Sequence, residues 1–228
     1  MGIHLKSPAL QLNTFDLVEK NISTTDESWT PVWGEVKQIR NNYQQLFLRL
    51  KTKDEILVNM VFKLFNDGVG FRYEFPQQAK LKHFIIAEET TQFAVTGDHK
   101  TFWIPGDYDT NEYAYYTSKL SEIDATGGKF SQEIHAKTYF NANGVQTPLM
   151  MKTGENLYIN IHEAALVNYP AMNLVIDKSS NILNAHLVPD AVGNKAYLQT
   201  PSKTPWRTVI VSDKATDILA SKMILNLN

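Results

Sequence analysis

Hydrophobic and polar residues alternate with a period of two along much of this chain, the pattern of strands with one buried face. The clearest instance is ILVNMVFKLFNDGVGFRYEF, residues 56 to 75. Ile56, Val58, Met60, Phe62 and Leu64 share one face; after the turn signal Asn66-Asp67-Gly68, Val69, Phe71, Tyr73 and Phe75 alternate again. This predicts a β-hairpin, in which Gly70 lets something opposite approach closely. QQLFLRL, residues 44 to 50, supplies a neighbouring strand with Leu46, Leu48 and Leu50 inward. Further strands are predicted in the opening segment and near residues 81–95, 147–153, 157–163, 172–177, 181–188 and 206–212. Clusters of Gly, Asn, Asp and Ser at Asp124 to Gly128, Asn141 to Gly144, Asp177 to Asn181 and Asp190 to Asn194 predict the turns between them. The one helical pattern is SDKATDILASKM, residues 212 to 223, with Ser212 or Asp213 as its cap. Many short strands, little helix, no repeat and no linker predict one all-β domain over residues 1–228, a large β-sandwich.

Composition adds exclusions. The 228 residues are 43% hydrophobic and 11% aromatic, enough for a substantial core. Lys plus Arg number 22 against 24 Asp plus Glu, so a formal charge of −2 gives no electrostatic case for nucleic acid or an acidic membrane surface. The absence of cysteine removes disulfides, thiolate metal sites and thiol nucleophiles. No stretch approaches the roughly 20 apolar residues of a membrane helix. The start, MGIHLKSPAL, lacks the apolar centre of a signal peptide, and Lys6 stands where a myristoylation pattern requires Ser or Thr. Ser7-Pro8 reads as the middle of a connection, which suggests that earlier strands have been cut away.

Candidate chemistry is sparse. No G-x-S-x-G elbow, Walker loop or dinucleotide fingerprint occurs. GDYDTNE places Asp107, Asp109 and Asn111 like the first ligands of a helix-loop-helix calcium loop. Glu112 and Ser118 then replace the glycine and the bidentate glutamate that such a loop needs, so an ordinary acidic loop is expected. Glu88 and Glu89 point to opposite faces of a strand and cannot act as a facing acid/base pair. Trp103, Tyr108, Tyr113, Tyr115 and Tyr116 form an aromatic cluster that suits either a sugar-stacking platform or ordinary packing; Trp29, Trp33 and Trp206 invite the same two readings. His162-Glu163 resembles half of a zinc-peptidase H-E-x-x-H, but Leu166 occupies the second histidine position and excludes zinc. Glu163 lies near a strand end beside small Ala164 and Ala165, where another surface can come close. It is either a salt-bridged rim residue or a ligand given to a hard cation shared with a neighbouring domain.

Several segments, in order, carry a family resemblance: SWTPVWGE, FNDGVGFRYEF, EETTQF, TPLMMKTGENLYINIHEAALVNYPAM and PWRTVIVSD. Together they resemble the N-terminal domain of glycoside hydrolase family 97, a family of bacterial α-glucosidases and α-galactosidases. The resemblance implies a galactose-mutarotase-like sandwich joined covalently to a catalytic (β/α)8 barrel that supplies the acid and the base or nucleophile. This chain would then be a fragment, inactive alone, that lacks the barrel and the first few strands of the sandwich. It further implies a carbohydrate substrate, export to the periplasm or the cell surface, and a calcium ion near the scissile bond held mainly by barrel glutamates. One ligand to that ion comes from the sandwich, and INIHEAAL assigns it to Glu163, with Asn160 and His162 as neighbours. A stand-alone carbohydrate-binding module built on the aromatic cluster is the alternative.

Overall fold

The computed structural model describes residues 2–126 and 137–228. Strands hold 52% of the chain and helices 6%, the all-β sandwich that the alternation predicts. The largest sheet runs, in spatial order, Tyr116–Lys119, Lys100–Trp103, Leu149–Lys152, Tyr158–Ala164, Trp206–Ser212, Gly68–Phe75, Leu57–Phe65, Ile39–Lys51 and Asp16–Trp29. A two-residue strand, Ser202–Lys203, pairs beside Gly68–Phe75. One small sheet is ordered Ala196–Gln199, His83–Glu89, Ile3–Ser7, Leu10–Leu12; the other is ordered Gly144–Gln146, Met172–Asp177, Ile182–Leu187, Gln92–Ala94. A single apolar cluster draws on all three sheets: Val58, Met60, Phe71 and Ile161 meet Ile3, Leu5 and Ile86 from one small sheet and Leu174, Ile176 and Leu183 from the other. The small sheets therefore cover the inner face of the large one.

The predicted hairpin is present, with Phe65 and Gly68 paired across Asn66-Asp67. The 81–95 run divides where the sequence shows no break. His83–Glu89 stays in one small sheet and Gln92–Ala94 joins the other, with the Thr90 N–H diverted to the Gly2 carbonyl at 2.8 Å. Asp16–Trp29 shows little alternation because it is the outer edge strand, exposed along nearly its whole length on both faces. The opening segment forms Ile3–Ser7 and Leu10–Leu12, and Pro8-Ala9 turns between them. Gly127 and Gly128 of the turn expected at Asp124 to Gly128 lie outside the described residues.

The expected helix spans Ala215–Ala220, but its cap is Lys214, which makes no side-chain capping bond. Ser212 Oγ instead accepts the Lys214 N–H at 3.1 Å, holding the turn one step earlier than a cap. A second helix, Met223–Leu227, follows. Ile218, Met223 and Leu227 bury themselves with Val61, Phe65, Ala164, Trp206 and Ile210 in a separate cluster on the outer face of the large sheet. No helix among the described residues is long and apolar enough to cross a membrane.

Glycine is required where the helices and strands come closest. A Cβ on Gly70 would meet Leu227 Cδ1 at 2.7 Å, which identifies the close approach expected there as the chain's own last helix. On Gly68 it would overlap the Val209 carbonyl oxygen, a backbone atom of the paired strand that cannot move alone. Gly154 has nothing within 4 Å. We expect Gly68→Ala to destabilise the chain by about 2 kcal/mol or more and Gly154→Ala to change stability by less than about 0.5 kcal/mol, as read by urea denaturation.

Candidate functional site

Tyr158–Ala164 pairs with Trp206–Ser212, and the register sets Glu163 directly opposite Arg207. Alternation sends Ile159, Ile161 and Glu163 inward, while Asn160, His162 and Ala164 face out. Asn160 and His162 thus lie on the opposite face of the sheet from Glu163. His162 Nδ1 is buried without a partner there, and burial lowers its pKa. The surface that the small residues Ala164 and Ala165 admit is the C-terminal helix: Ala164 is 3% exposed beneath it, and Asn228 Oδ1 accepts the Ala165 N–H. Ala165 ends the strand in the left-handed region, at φ 53°, and so turns the chain back over the sandwich edge.

The returning segment delivers donors to two buried carboxylates. Tyr169 Oη donates to Glu89 Oε2 at 3.2 Å, and the Met172 N–H donates to Glu163 Oε1 at 3.1 Å. Arg207, with no exposed side-chain surface, lies between them. Its Nε and Nη2 donate to Glu89 Oε1 and Oε2 at 2.9 and 2.7 Å, and its Nη1 donates to Glu163 Oε2 at 2.5 Å. Thr91 Oγ1 adds a bond to Glu89 Oε1 at 2.7 Å. Glu89 belongs to a small sheet and Arg207 to the large one, so the guanidinium ties the layers together.

Two carboxylates around one guanidinium leave one negative charge in excess. Burial pushes the Glu89 carboxyl up, but Arg207 and the hydroxyl donors outweigh it and hold its pKa below the ordinary value. For Glu163 burial prevails and the pKa is raised, despite Arg207 and the Met172 N–H. Arg207 is pulled down by burial and held up more strongly by Glu89 and Glu163, so it stays protonated. The excess charge therefore rests on Glu163, whose side chain is 6% exposed against 0% for Glu89.

That small exposure opens onto a cleft of about 560 Å³, also lined by Asp107, Tyr108, Asp109, Gln146, Ala171 and Asn173 among others. Asp107 organises a loop along it. Its carboxylate accepts from the Asp109, Thr110 and Thr138 N–H groups at 2.8, 3.1 and 2.9 Å, from Tyr113 Oη at 2.7 Å and from Thr138 Oγ1 at 3.1 Å. Burial raises its pKa, and these donors more than offset it, leaving the net shift downward. The acidic loop thus spends its first carboxylate on its own backbone. Among the described residues no group of three or more His, Cys, Asp or Glu is placed to hold a metal ion.

The aromatic cluster does not make one open platform. Trp103 and Tyr113 are 4% and 6% exposed, Tyr116 packs on Trp103 with centroids 5.2 Å apart, and Tyr115 is exposed. Of the five rings, Tyr108 alone lines the cleft. Trp29 Nε1 donates to Asn226 Oδ1, Trp206 is buried, and Trp33 is exposed. Glu88 and Glu89 do diverge, Glu89 into the core and Glu88 toward His186 and Lys195. The sequence reading missed Arg207 as the partner of Glu163 and Glu89 as the second carboxylate on Arg207. The available signal was a charged side chain on the inward face of an apolar strand, WRTVIVS, which must meet opposite charge once buried.

Residues 1–228 match the family described as Glycosyl-hydrolase 97 N-terminal. A retaining alpha-galactosidase of Bacteroides thetaiotaomicron is 25% identical over 230 residues, covering 88% of this chain and 31% of that protein. A glycoside hydrolase family 97 enzyme from Pseudoalteromonas sp. strain K8, solved in complex with acarbose, superposes with a TM-score of 0.86 at 32% identity, over 100% of this chain and 32% of that one. A β-arabinopyranosidase shares the fold at a TM-score of 0.71 and 17% identity, over 93% of this chain and 34% of that one. The chain therefore spans about a third of the length of these relatives.

The opposed shifts give opposite pH signatures. Glu163, with its pKa raised on folding, costs stability as pH rises from the ordinary glutamate value through its folded value; Glu89, with its pKa lowered, contributes stability that is lost as pH falls through its folded value. In urea titrations of the chain, the stability of wild type relative to Glu163→Gln should fall as pH rises from the ordinary glutamate range; a flat or rising difference contradicts the assignment. Arg207→Met, which strands two buried carboxylates, should cost about 3–5 kcal/mol at pH 7.

Proposed function

The chain belongs to the glycosyl-hydrolase 97 N-terminal family, and from that premise we propose that it is the non-catalytic sandwich domain of a calcium-dependent α-glycosidase. In this reading it presents Glu163 to a shared cation site and forms one wall of the sugar cleft, while the catalytic carboxylates belong to a barrel in the same polypeptide. The parent enzyme is exported and acts on an α-glucoside or α-galactoside.

The observation that carries the reading is the excess negative charge of the Glu89–Arg207–Glu163 group, presented by a carboxylate that lines a cleft. Arg207 and the Met172 N–H each take one Glu163 oxygen, which fixes the carboxylate's orientation while each oxygen keeps further acceptor capacity. A hard oxygen ligand so aimed fits calcium, which prefers 6–8 oxygens and tolerates varied geometry. It fits only as part of a shared site, because the described residues offer no cluster of ligands. When bound, such an ion polarises substrate oxygens and helps orient catalytic carboxylates. This chain's part is to orient Glu163 through Arg207 and the Met172 N–H, while Asp107 fixes a loop that also lines the cleft.

In the enzyme carrying this domain, Glu163→Gln should weaken calcium binding at least about tenfold by calorimetry and lower turnover, with the sandwich still folded. Unchanged calcium affinity removes Glu163 from the site. The isolated chain should show no saturable calcium binding in the micromolar range.

A further inference from the structure

Tyr108 is supported more heavily than a loop tyrosine requires. Its ring lies parallel to Phe140, with centroids 4.8 Å apart and planes 3° apart, and Phe140 stacks in turn on His186 at 4.4 Å. The phenol oxygen is 2.7 Å from His186 Nε2. The other imidazole nitrogen, Nδ1, faces Glu88 Oε2 at 3.6 Å, and Lys195 Nζ approaches the same oxygen at 3.4 Å. Glu88 Oε1 accepts the Leu187 N–H at 3.3 Å, which fixes the carboxylate against the strand that carries His186. Immediately before Tyr108 in the chain, Asp107 is locked by its ring of donors.

These contacts determine what Tyr108 can present. A carboxylate opposite Nδ1 favours the tautomer with the proton there, so Nε2 accepts and the Tyr108 O–H donates. Burial, followed by the charge of Lys195, lowers the His186 pKa to about 4, so the imidazole is neutral at physiological pH. With its ring stacked on Phe140 and its hydroxyl hydrogen on His186, Tyr108 is held rigidly where it lines the cleft. The same cleft is lined by Glu163 and by the polar residues Asp109, Asn111 and Gln146. A flat ring among polar side chains suits a pyranose, which has an apolar C–H face and a hydroxyl edge.

We propose that Tyr108 is a sugar-binding residue: its ring packs on the C–H face of a pyranose seated beside Glu163 in the cleft that both residues line, and Phe140 and His186 act as the positioning residues that hold the ring. The inference rests on the reading of the cleft as a sugar site.

The test uses the enzyme carrying this domain and whichever of 4-nitrophenyl α-glucoside or α-galactoside it hydrolyses faster. Tyr108→Ala should raise KM about tenfold while kcat changes less than about threefold, and Tyr108→Phe, which keeps the ring, should recover most of the loss. Ala171→Trp, which fills the cleft from an exposed position, is the control for the cleft itself. If Ala171→Trp raises KM and Tyr108→Ala does not, Tyr108 has no such role and the cleft remains a sugar site. If neither variant alters KM, the cleft reading fails and the inference with it. Should Tyr108→Ala prove too unstable to assay, Tyr108→Leu, which keeps apolar volume against Phe140 but has no ring, is judged by the same criteria.

Discussion

A guanidinium sealed between two glutamates holds this sandwich in register. Arg207 reaches from the large sheet to Glu89 in a small sheet with two parallel bonds, and sideways to Glu163 on the adjacent strand with a third. Burying three charges is expensive, and the expense is offset only if every donor and acceptor meets its partner. The structure meets that condition closely. Thr91 and Tyr169 complete Glu89, the Met172 N–H completes Glu163, and both Tyr169 and Met172 come from the segment that turns back at Ala165. A strand ending in a left-handed alanine, a returning loop and a buried arginine thus serve one constraint.

The constraint also accounts for the asymmetry between the carboxylates. Glu89 is fully satisfied and acts as structure. Glu163 has weaker support, lies at the cleft, and carries the charge that Arg207 does not cancel. The salt-bridged reading of Glu163 is observed, and the bridge orients the carboxylate where it lines the cleft; its part as a cation ligand is what we propose. Elsewhere along the cleft, Asp107 uses its carboxylate to shape a loop, which keeps Tyr108 in place on Phe140 and His186.

Much of the architecture was legible because two-residue alternation is a direct imprint of a half-buried sheet, as in the Leu57–Phe65 and Gly68–Phe75 hairpin. Legibility failed where burial is not one-sided. Asp16–Trp29 is solvated on both faces and carries almost no pattern. The 81–95 run continues its alternation across a change of sheet that only tertiary contacts impose. At the site, alternation put Glu163 near a strand end, and the structure adds that it lies on the inner face. Its pairing with Arg207 across 44 positions and Arg207's with Glu89 across 118 are long-range facts that no local spacing encodes. The five aromatic residues looked equivalent in sequence, and only packing separates Tyr108 at the cleft from Trp103 and Tyr113 in the core.

The central claim is that Glu163 is anchored from behind by Arg207 and reaches a cation in front. A crystal structure of the intact enzyme carrying this domain, with calcium present, tests it most directly. The account predicts a Glu163 oxygen about 2.3–2.6 Å from the ion while the bond to Arg207 persists. An ion whose coordination shell omits Glu163, or a Glu163 that leaves Arg207 to reach it, contradicts the account.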